Sequence, residues 1–409
     1  MARSGTADLT LHGGHVPPWL FNRMKGLALP MVEAILQEHG KEGFIARMAD
    51  PFWFQSFGTV IGMDWNSSGV TTTVLNVLKQ VIAPVSQHLG IYVCGGKGKH
   101  SLQTPKELLE VGMRTGLNGQ ELARYSKLSA KVDNTALQDG FQLYIHNFLV
   151  TDTGAWTVVQ QGMNTKTGKA RRYHWYSGKL ESMVKEPHTA VCGEHQGTIL
   201  NLVHREAQAT QRTILDITKT KPDHILKEVP RLIVPGYHNI KAKDVDLKRL
   251  GSILWLAQEN ETEQFEDLLL LKGLGPRTLQ SLALVSEVIY GAPSRFSDPA
   301  RFAFAHGGKD ATPFPVPTKV YDSTITTIKN AVEQAKIGHT DKLKAIQKLS
   351  QLAQRAEKGF VPQENFDALV KKENENAYRY GGRSVFGHAK PPKGKQLDLF
   401  EDGALGDNP

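Results

Sequence analysis

From about residue 197 onward, apolar positions recur every three to four residues. Ile199, Leu202, Val203 and Ala207 follow this spacing, as do Leu250, Ile253, Leu254 and Ala257, then Ile325, Ile328, Val332 and Ala335, and finally Leu343, Ile346, Leu349 and Leu352. That is the helix period. The first 197 residues read differently. Thr59–Met63 and Gly90–Val93 look like short strands on either side of a helix running from about Val70 to Val81, which predicts a βαβ unit. Gly140–Val150 and Ala155–Gln161 flank Thr-Asp-Thr-Gly and predict a β-hairpin. If Ala170–Tyr176 is a strand, Arg171, Tyr173 and Trp175 share one face, and Arg172, His174 and Tyr176 the other. Beyond residue 357 the chain is polar, with Gly381-Gly382 and Pro391-Pro392. The expected architecture is an α+β (or α/β) N-terminal domain over 1–197, an all-α domain over 198–356 and a disordered, basic tail over 357–409.

Composition narrows this only modestly. A chain of 409 residues has room for about two or three domains with cores that need no staples. Forty per cent apolar and 22% charged residues is an ordinary globular balance. Two cysteines, Cys94 and Cys192, argue against a disulfide framework and fit a reducing cytoplasm. There is neither a long uncharged apolar run nor an apolar signal-peptide core at the N-terminus, so no membrane partner is expected. The net charge of +8 and the pI near 9.2 lean towards a polyanion. Lys371–Lys395 alone holds seven Lys/Arg against two Glu. It is either a solubilising segment or an arm that tracks phosphates.

The most mechanistic local signal is Leu268-Leu-Leu-Leu-Lys-Gly-Leu-Gly-Pro-Arg-Thr-Leu-Gln-Ser-Leu-Ala-Leu284. An apolar helix end meets Gly273-Leu274-Gly275, and Pro276 suits the first turn of a new helix, where its missing N–H costs little. The free amides of that second helix can hold an anion, flanked by Lys272, Arg277 and Thr278. The segment 265–290 resembles the helix-hairpin-helix motif, in which a Gly-x-Gly turn grips a nucleic-acid phosphate without reading sequence. The bland alternative is a glycine-capped αα-corner.

The tail ends in an apolar knot, Gln396-Leu397-Asp398-Leu399-Phe400. It resembles the pentapeptide by which bacterial repair and replication proteins bind the sliding clamp. Leu397, Leu399 and Phe400 would fill an apolar pocket on that partner, and Gln396 would add a directed hydrogen bond. The alternative is a terminus that packs on its own fold.

Longer strings carry a family likeness: Arg3-Ser-Gly-Thr-Ala-Asp-Leu9, Leu11-His-Gly-Gly14, Asp50-Pro-Phe-Trp-Phe-Gln55, Gly62-Met-Asp-Trp-Asn-Ser-Ser-Gly69, Gly95-Gly-Lys-Gly98, Lys131-Val-Asp-Asn134, Gln160-Gln-Gly-Met-Asn164, Ala170-Arg-Arg-Tyr-His-Trp175 and Phe302-Ala-Phe-Ala-His-Gly-Gly-Lys-Asp310. They resemble a prokaryotic family catalogued as domain of unknown function seven-six-three, over most of residues 1 to about 345. That likeness implies no reaction, so the chemistry has to come from the residues.

Asp64 follows an apparent strand and leads into a helix, where a catalytic or metal-binding carboxylate often sits; the position equally suits a turn cap. Gly95-Gly-Lys97-Gly-Lys99 would let a backbone approach a phosphate, although it lacks Walker A spacing; it is otherwise a basic loop. Asp133 and Asp139, with Gln160 and Gln161, are candidate holders of Mg²⁺ or Mn²⁺, or else buried hydrogen-bonding groups. Arg171, Arg172 and Tyr173 are candidates to fork onto phosphate or stack on a base, and His174 to transfer a proton. His188, Cys192 and His195 are three possible zinc ligands with no fourth in view.

These features rank a metal-dependent DNA nuclease first, a cytoplasmic, nucleoid-associated repair protein brought to its substrate by the clamp. Asp64, Asp133 and Asp139 would hold the metal, Lys97, Arg171 and Arg172 would offset transition-state charge, and His174 would assist. A base-excision glycosylase is the alternative enzyme, since Asp298 follows Gly275 by 23 residues, within Ser-Asp-Pro. A non-catalytic, clamp-bound adaptor that recognises structured DNA is the third reading.

Overall fold

The computed structural model describes residues 9–10, 16, 18–63, 68–231, 245–300, 318–334, 338, 341–342, 344–348, 383–384 and 387–388. Residues 4–360 form one compact unit; 1–3 and 361–409 form another, in which Arg383–Ser384 and Gly387–His388 pair antiparallel.

In the larger unit the elements run β1 Leu9–Thr10, α1 Pro18–Met48, α2 Pro51–Ile61, α3 Ser68–Ile82, α4 Ser86–Leu89, β2 Ile91–Lys97, α5 Thr104–Thr115 and α6 Gly119–Lys131. A π turn, Val132–Ala136, extends α6. Then come β3 Gln142–Thr151, β4 Trp156–Asn164, β5 Lys169–Tyr176 and β6 His188–Cys192, followed by α7 Gln208–Lys219, α8 Pro222–Glu228, α9 Leu247–Glu259, α10 Phe265–Leu270, α11 Pro276–Val288 and α12 Thr318–Gln334. The sheet order is β1-β5-β4-β3-β2, with β6 also paired to β5. Every pairing in it is antiparallel, so the fold is a mixture of helices with an antiparallel sheet, of the α+β kind.

The expected hairpin is β3–β4, with Val150 opposite Trp156 and Phe148 opposite Val158. The expected βαβ unit is absent, because Thr59–Ile61 closes α2 rather than forming a strand. A strong start signal upstream decides this. The Asp50 side chain accepts from the amides of Phe52 (2.8 Å) and Trp53 (3.0 Å), and Pro51 occupies the first helical position. The helix is buried nearly all round, so it shows no amphipathic period.

Each face of the sheet is covered by helices. Tyr92, Cys94, Phe148, Val150, Trp156, Val158, Tyr173 and Trp175 share a core with side chains of α5–α11. Ile91, Val93, Ile145, Leu149 and Val159 face α1–α3 and α12. Ile214, Leu250, Leu268, Leu279 and Leu282, all beyond residue 197, lie in the same apolar cluster as the sheet. The helices after residue 197 therefore complete a core that the first 197 residues begin.

Candidate nucleic-acid interface and the polar networks behind it

The turn between α10 and α11 lies at the surface. Gly273 has φ +90°, a conformation that favours glycine. Leu274 is buried beneath the turn, while Lys272, Gly273, Pro276 and Arg277 are exposed and Thr278 is buried. Gly275 is extended (φ −131°) and caps α11.

The carbonyls from Gly273 to Pro276 are all occupied. Arg249 Nη2 donates to Gly273 O (3.0 Å), Lys131 Nζ to Leu274 O (2.7 Å) and Gln138 Nε2 to Pro276 O (2.8 Å). Gly275 O accepts from Leu279 N (3.0 Å). Among the described residues nothing accepts from the amides of Gly275, Arg277 or Thr278. The acceptors of the turn are thus consumed by cations and an amide, and its donors are left over. Burial, and then the charge of Arg249, pull the Lys131 pKa down. Lys131, Gln138 and Arg249 carry no local sequence signal for this role. They are brought to the turn from 143, 138 and 24 residues away.

Lys131 and Gln138 flank the π turn that holds Asp133. Asp133 is fully buried. Its Oδ2 accepts from Trp175 Nε1 (3.0 Å) and from Gln160 Nε2, and its Oδ1 from His188 Nε2. The network continues from Gln160 Oε1 to His146 Nδ1 (2.7 Å) and from His146 Nε2 to Ser126 Oγ (2.8 Å). Asp139 is equally committed. It accepts from Arg171 Nη1 (2.9 Å), Tyr173 Oη (2.6 Å) and Phe141 N (3.1 Å). Arg171 also forks onto Asp298, at 3.0 and 2.6 Å, and donates to Glu194 O. Burial opposes the charge on Arg171, but Asp139 and Asp298 outweigh it and raise its pKa. Burial raises that of Asp139 against the pull of Arg171.

The alternation read along β5 holds. Arg171, Tyr173 and Trp175 turn towards the Asp133 and Asp139 side, and Arg172 and His174 towards α2. It also corrects the roles expected of them. Arg171, Arg172, Tyr173 and His174 are all fully buried, so none offers a surface phosphate fork, a stacking face or a proton relay to solvent. Arg172 contacts Gln55 Oε1 and Thr71 Oγ1 and lies over the Phe54 ring. His174 Nδ1 bonds Met48 O (3.2 Å), and its Nε2 is buried without a partner.

The Gly95–Lys99 stretch is another correction. Gly95 and Gly96 continue β2 rather than forming a free loop. The Gly95 amide donates to Glu107 Oε2 (2.8 Å), and its carbonyl accepts from Lys79 Nζ (2.6 Å). A Cβ there would lie 2.1 Å from His146 O, which explains the glycine. Lys97 and Lys99 are exposed beyond it.

Asp64 and the peptide 396–400 lie outside the described residues. No group of three His, Cys, Asp or Glu suited to a metal occurs among the described residues. His188 bonds Asp133, burial pushes the Cys192 thiol up to about 12, and His195 Nδ1 accepts from Gly197 N. No helix among the described residues is long and apolar enough to cross a membrane.

A family model described as Protein of unknown function (DUF763) matches residues 5–316. The chain belongs to that family. The match spans the sheet, the Asp133 and Asp139 networks and the turn at 273–275. No curated protein and no solved structure matches the chain.

The buried histidines give this member of the family an expected pH response. Burial lowers the pKa of His146, and burial together with Arg172 lowers that of His174 well below the ordinary 6.5. The folded state therefore binds fewer protons than the unfolded state below that value. Their contribution to stability is complete above pH 6.5 and drains away as pH falls beneath it. Each histidine adds a slope of up to about 1.4 kcal/mol per pH unit. Urea midpoints measured from about pH 7.5 down to about 5.5 should decline, and His146→Gln should flatten the decline; a level wild-type profile refutes the assignment.

Proposed function

We propose that this protein binds DNA through the turn at 272–278, contacting the phosphate backbone without reading sequence, and acts in DNA processing or repair. The observation that carries this reading is the polarity of the turn. Its carbonyls are neutralised by Arg249, Lys131 and Gln138, while the amides opening α11 have no described acceptor and sit between exposed Lys272 and Arg277. Donors, helix dipole and side-chain charge then all favour one ligand, an anion. A backbone phosphate satisfies them, and the excess of Lys and Arg in the chain supports a polyanion over an isolated anion. Within this reading the segment serves as a helix-hairpin-helix, and 396–400 docks on a sliding clamp to place the protein at DNA.

Of the enzymatic readings, a metal-dependent nuclease would need a carboxylate-held Mg²⁺ or Mn²⁺. Asp133 and Asp139 do not fit that role, because their oxygens are already bound by N–H and O–H donors inside the core. Asp298, the glycosylase candidate, is bound by Arg171, Gln196 N (2.6 Å) and Ala300 N (2.9 Å). The adaptor reading asks for nothing beyond the turn and the tail peptide.

In the double variant Lys272→Ala/Arg277→Ala, DNA affinity should fall for every sequence tested. The slope of log K against log salt should shrink by about 2, one for each lost phosphate contact. Wild-type affinity and salt slope would remove the turn from the interface. Single-stranded, duplex, flap and base-damaged DNAs, each with Mg²⁺, Mn²⁺ or chelator, separate the three readings: metal-dependent cutting marks a nuclease, alkali-labile sites a glycosylase, and binding alone an adaptor. Deleting 396–400 should abolish clamp binding and leave DNA affinity unchanged.

A further inference from the structure

Trp255 stands apart among the described tryptophans. Trp53, Trp156 and Trp175 are 3%, 3% and 0% exposed, whereas Trp255 is 56% exposed. It lies on α9, whose inward side is Leu250, Ile253, Leu254 and Ala257. The outward side is Lys248, Ser252, Trp255 and Glu259, all exposed, at spacings of three and four that stack them on one face. Nothing in the packing of α9 against the described residues accounts for the indole.

The start of this helix is tied to the turn. Arg249 donates to Gly273 O, so the first turn of α9 adjoins the amides of α11. Six residues separate Arg249 from Trp255, which is about 9 Å along the axis. Measured along a duplex axis, that distance is roughly three base-pair steps. The charge along this path is graded. Lys272, Arg277, Lys248 and Arg249 outnumber the N-cap carboxylate Asp246 at its beginning, and Glu259 closes it on the far side of Trp255.

We infer that the outer face of α9 continues the DNA surface and that Trp255 receives an unpaired base, so the substrate is duplex DNA interrupted by a single-stranded segment. This inference rests on the DNA-binding reading of the turn. The chemistry selects that class. The faces of a paired base are already covered by its neighbours, whereas an unpaired base presents a free π-face for which an exposed indole is a sequence-tolerant platform. The adjacent cations supply complementarity to the flanking phosphates.

The test uses the full chain and two labelled probes, a plain duplex and the same duplex with a single-stranded gap, read by fluorescence anisotropy. Trp255→Ala should weaken binding to the gapped probe roughly ten-fold, the scale of one lost base stack, and leave the plain duplex unchanged. Trp255→Phe should recover most of the loss. Equal affinity of wild type and Trp255→Ala for the gapped probe overturns the inference. So does a wild-type dimer that Trp255→Ala turns into a monomer in sedimentation, which would make this face a contact between copies. The Lys272→Ala/Arg277→Ala variant distinguishes the turn from the indole. Weaker binding to both probes supports the turn, and wild-type binding to both overturns the turn while leaving Trp255 to its own result.

Discussion

Arg171→Leu is expected to destabilise the chain by about 3–5 kcal/mol, the range for a buried ion pair that loses one partner. The guanidinium is fully buried and serves Asp139, Asp298 and the Glu194 carbonyl together. Removing it leaves two buried carboxyl groups facing the same space with no cation between them. Leucine fills part of the volume, so the cost is chiefly electrostatic rather than that of a cavity. Arg171→Lys should recover only part of the loss, because an ammonium cannot reproduce the fork onto Asp298. Adding Asp139→Asn and Asp298→Asn to Arg171→Leu should restore stability relative to Arg171→Leu alone, since the uncompensated acids disappear. Urea midpoints report all three. An Arg171→Leu midpoint equal to wild type means that the cluster is not a structural strut, and its acids return to consideration for chemistry.

Asp133→Ala is expected to cost a comparable amount, about 3–5 kcal/mol, because it orphans three buried donors at about 1–3 kcal/mol each, with incomplete additivity. These are the N–H groups of Gln160, Trp175 and His188. Asp133→Asn should cost clearly less. Its amide keeps one oxygen for two of the donors, and His188 can switch tautomer to accept from the new NH₂. A metal ligand behaves in the opposite manner, since asparagine and alanine both abolish metal-dependent activity while stability changes little. The discriminating measurement is the order of midpoints, wild type above Asp133→Asn above Asp133→Ala. Lost DNA cleavage with unchanged midpoints in both variants would restore Asp133 to a catalytic role.

Both outcomes follow from burial, the property least visible in the string. Arg171, Arg172, Tyr173 and His174 look like a nucleic-acid face by composition, since cations mixed with aromatics are common there. β5 is instead a central strand covered by helices on both sides, so the same residue types become internal hydrogen-bonding groups. The facing order along β5 was legible because a strand alternates regardless of what covers it. What lies over each face depends on contacts such as Arg171 with Asp298, 127 residues apart. The Thr59–Ile61 reading failed for a local reason: a capped start at Asp50 propagates helix through residues of high β-propensity once their surroundings are uniformly apolar.

By itself, the sequence determined the features that local physics sets. These are the helical periods at Leu250–Ala257 and Ile325–Val332, the β3–β4 hairpin, the glycine–proline turn and membership of a family that the strings already resembled. The same spacing at Ile199–Ala207 misled, because that stretch forms β-bridges at Leu200 and Asn201 and then a single 3-10 turn, its apolar side chains buried by partners distant in the chain. Tertiary structure alone decided which charges face water. It closed Asp133 and Asp139 inside the core, drew Lys131, Gln138 and Arg249 onto the carbonyls of the turn, and left Trp255 outside. The reason is that backbone geometry and side-chain period are fixed within a few residues of chain, whereas the cost of burying a charge depends on partners that only folding brings together.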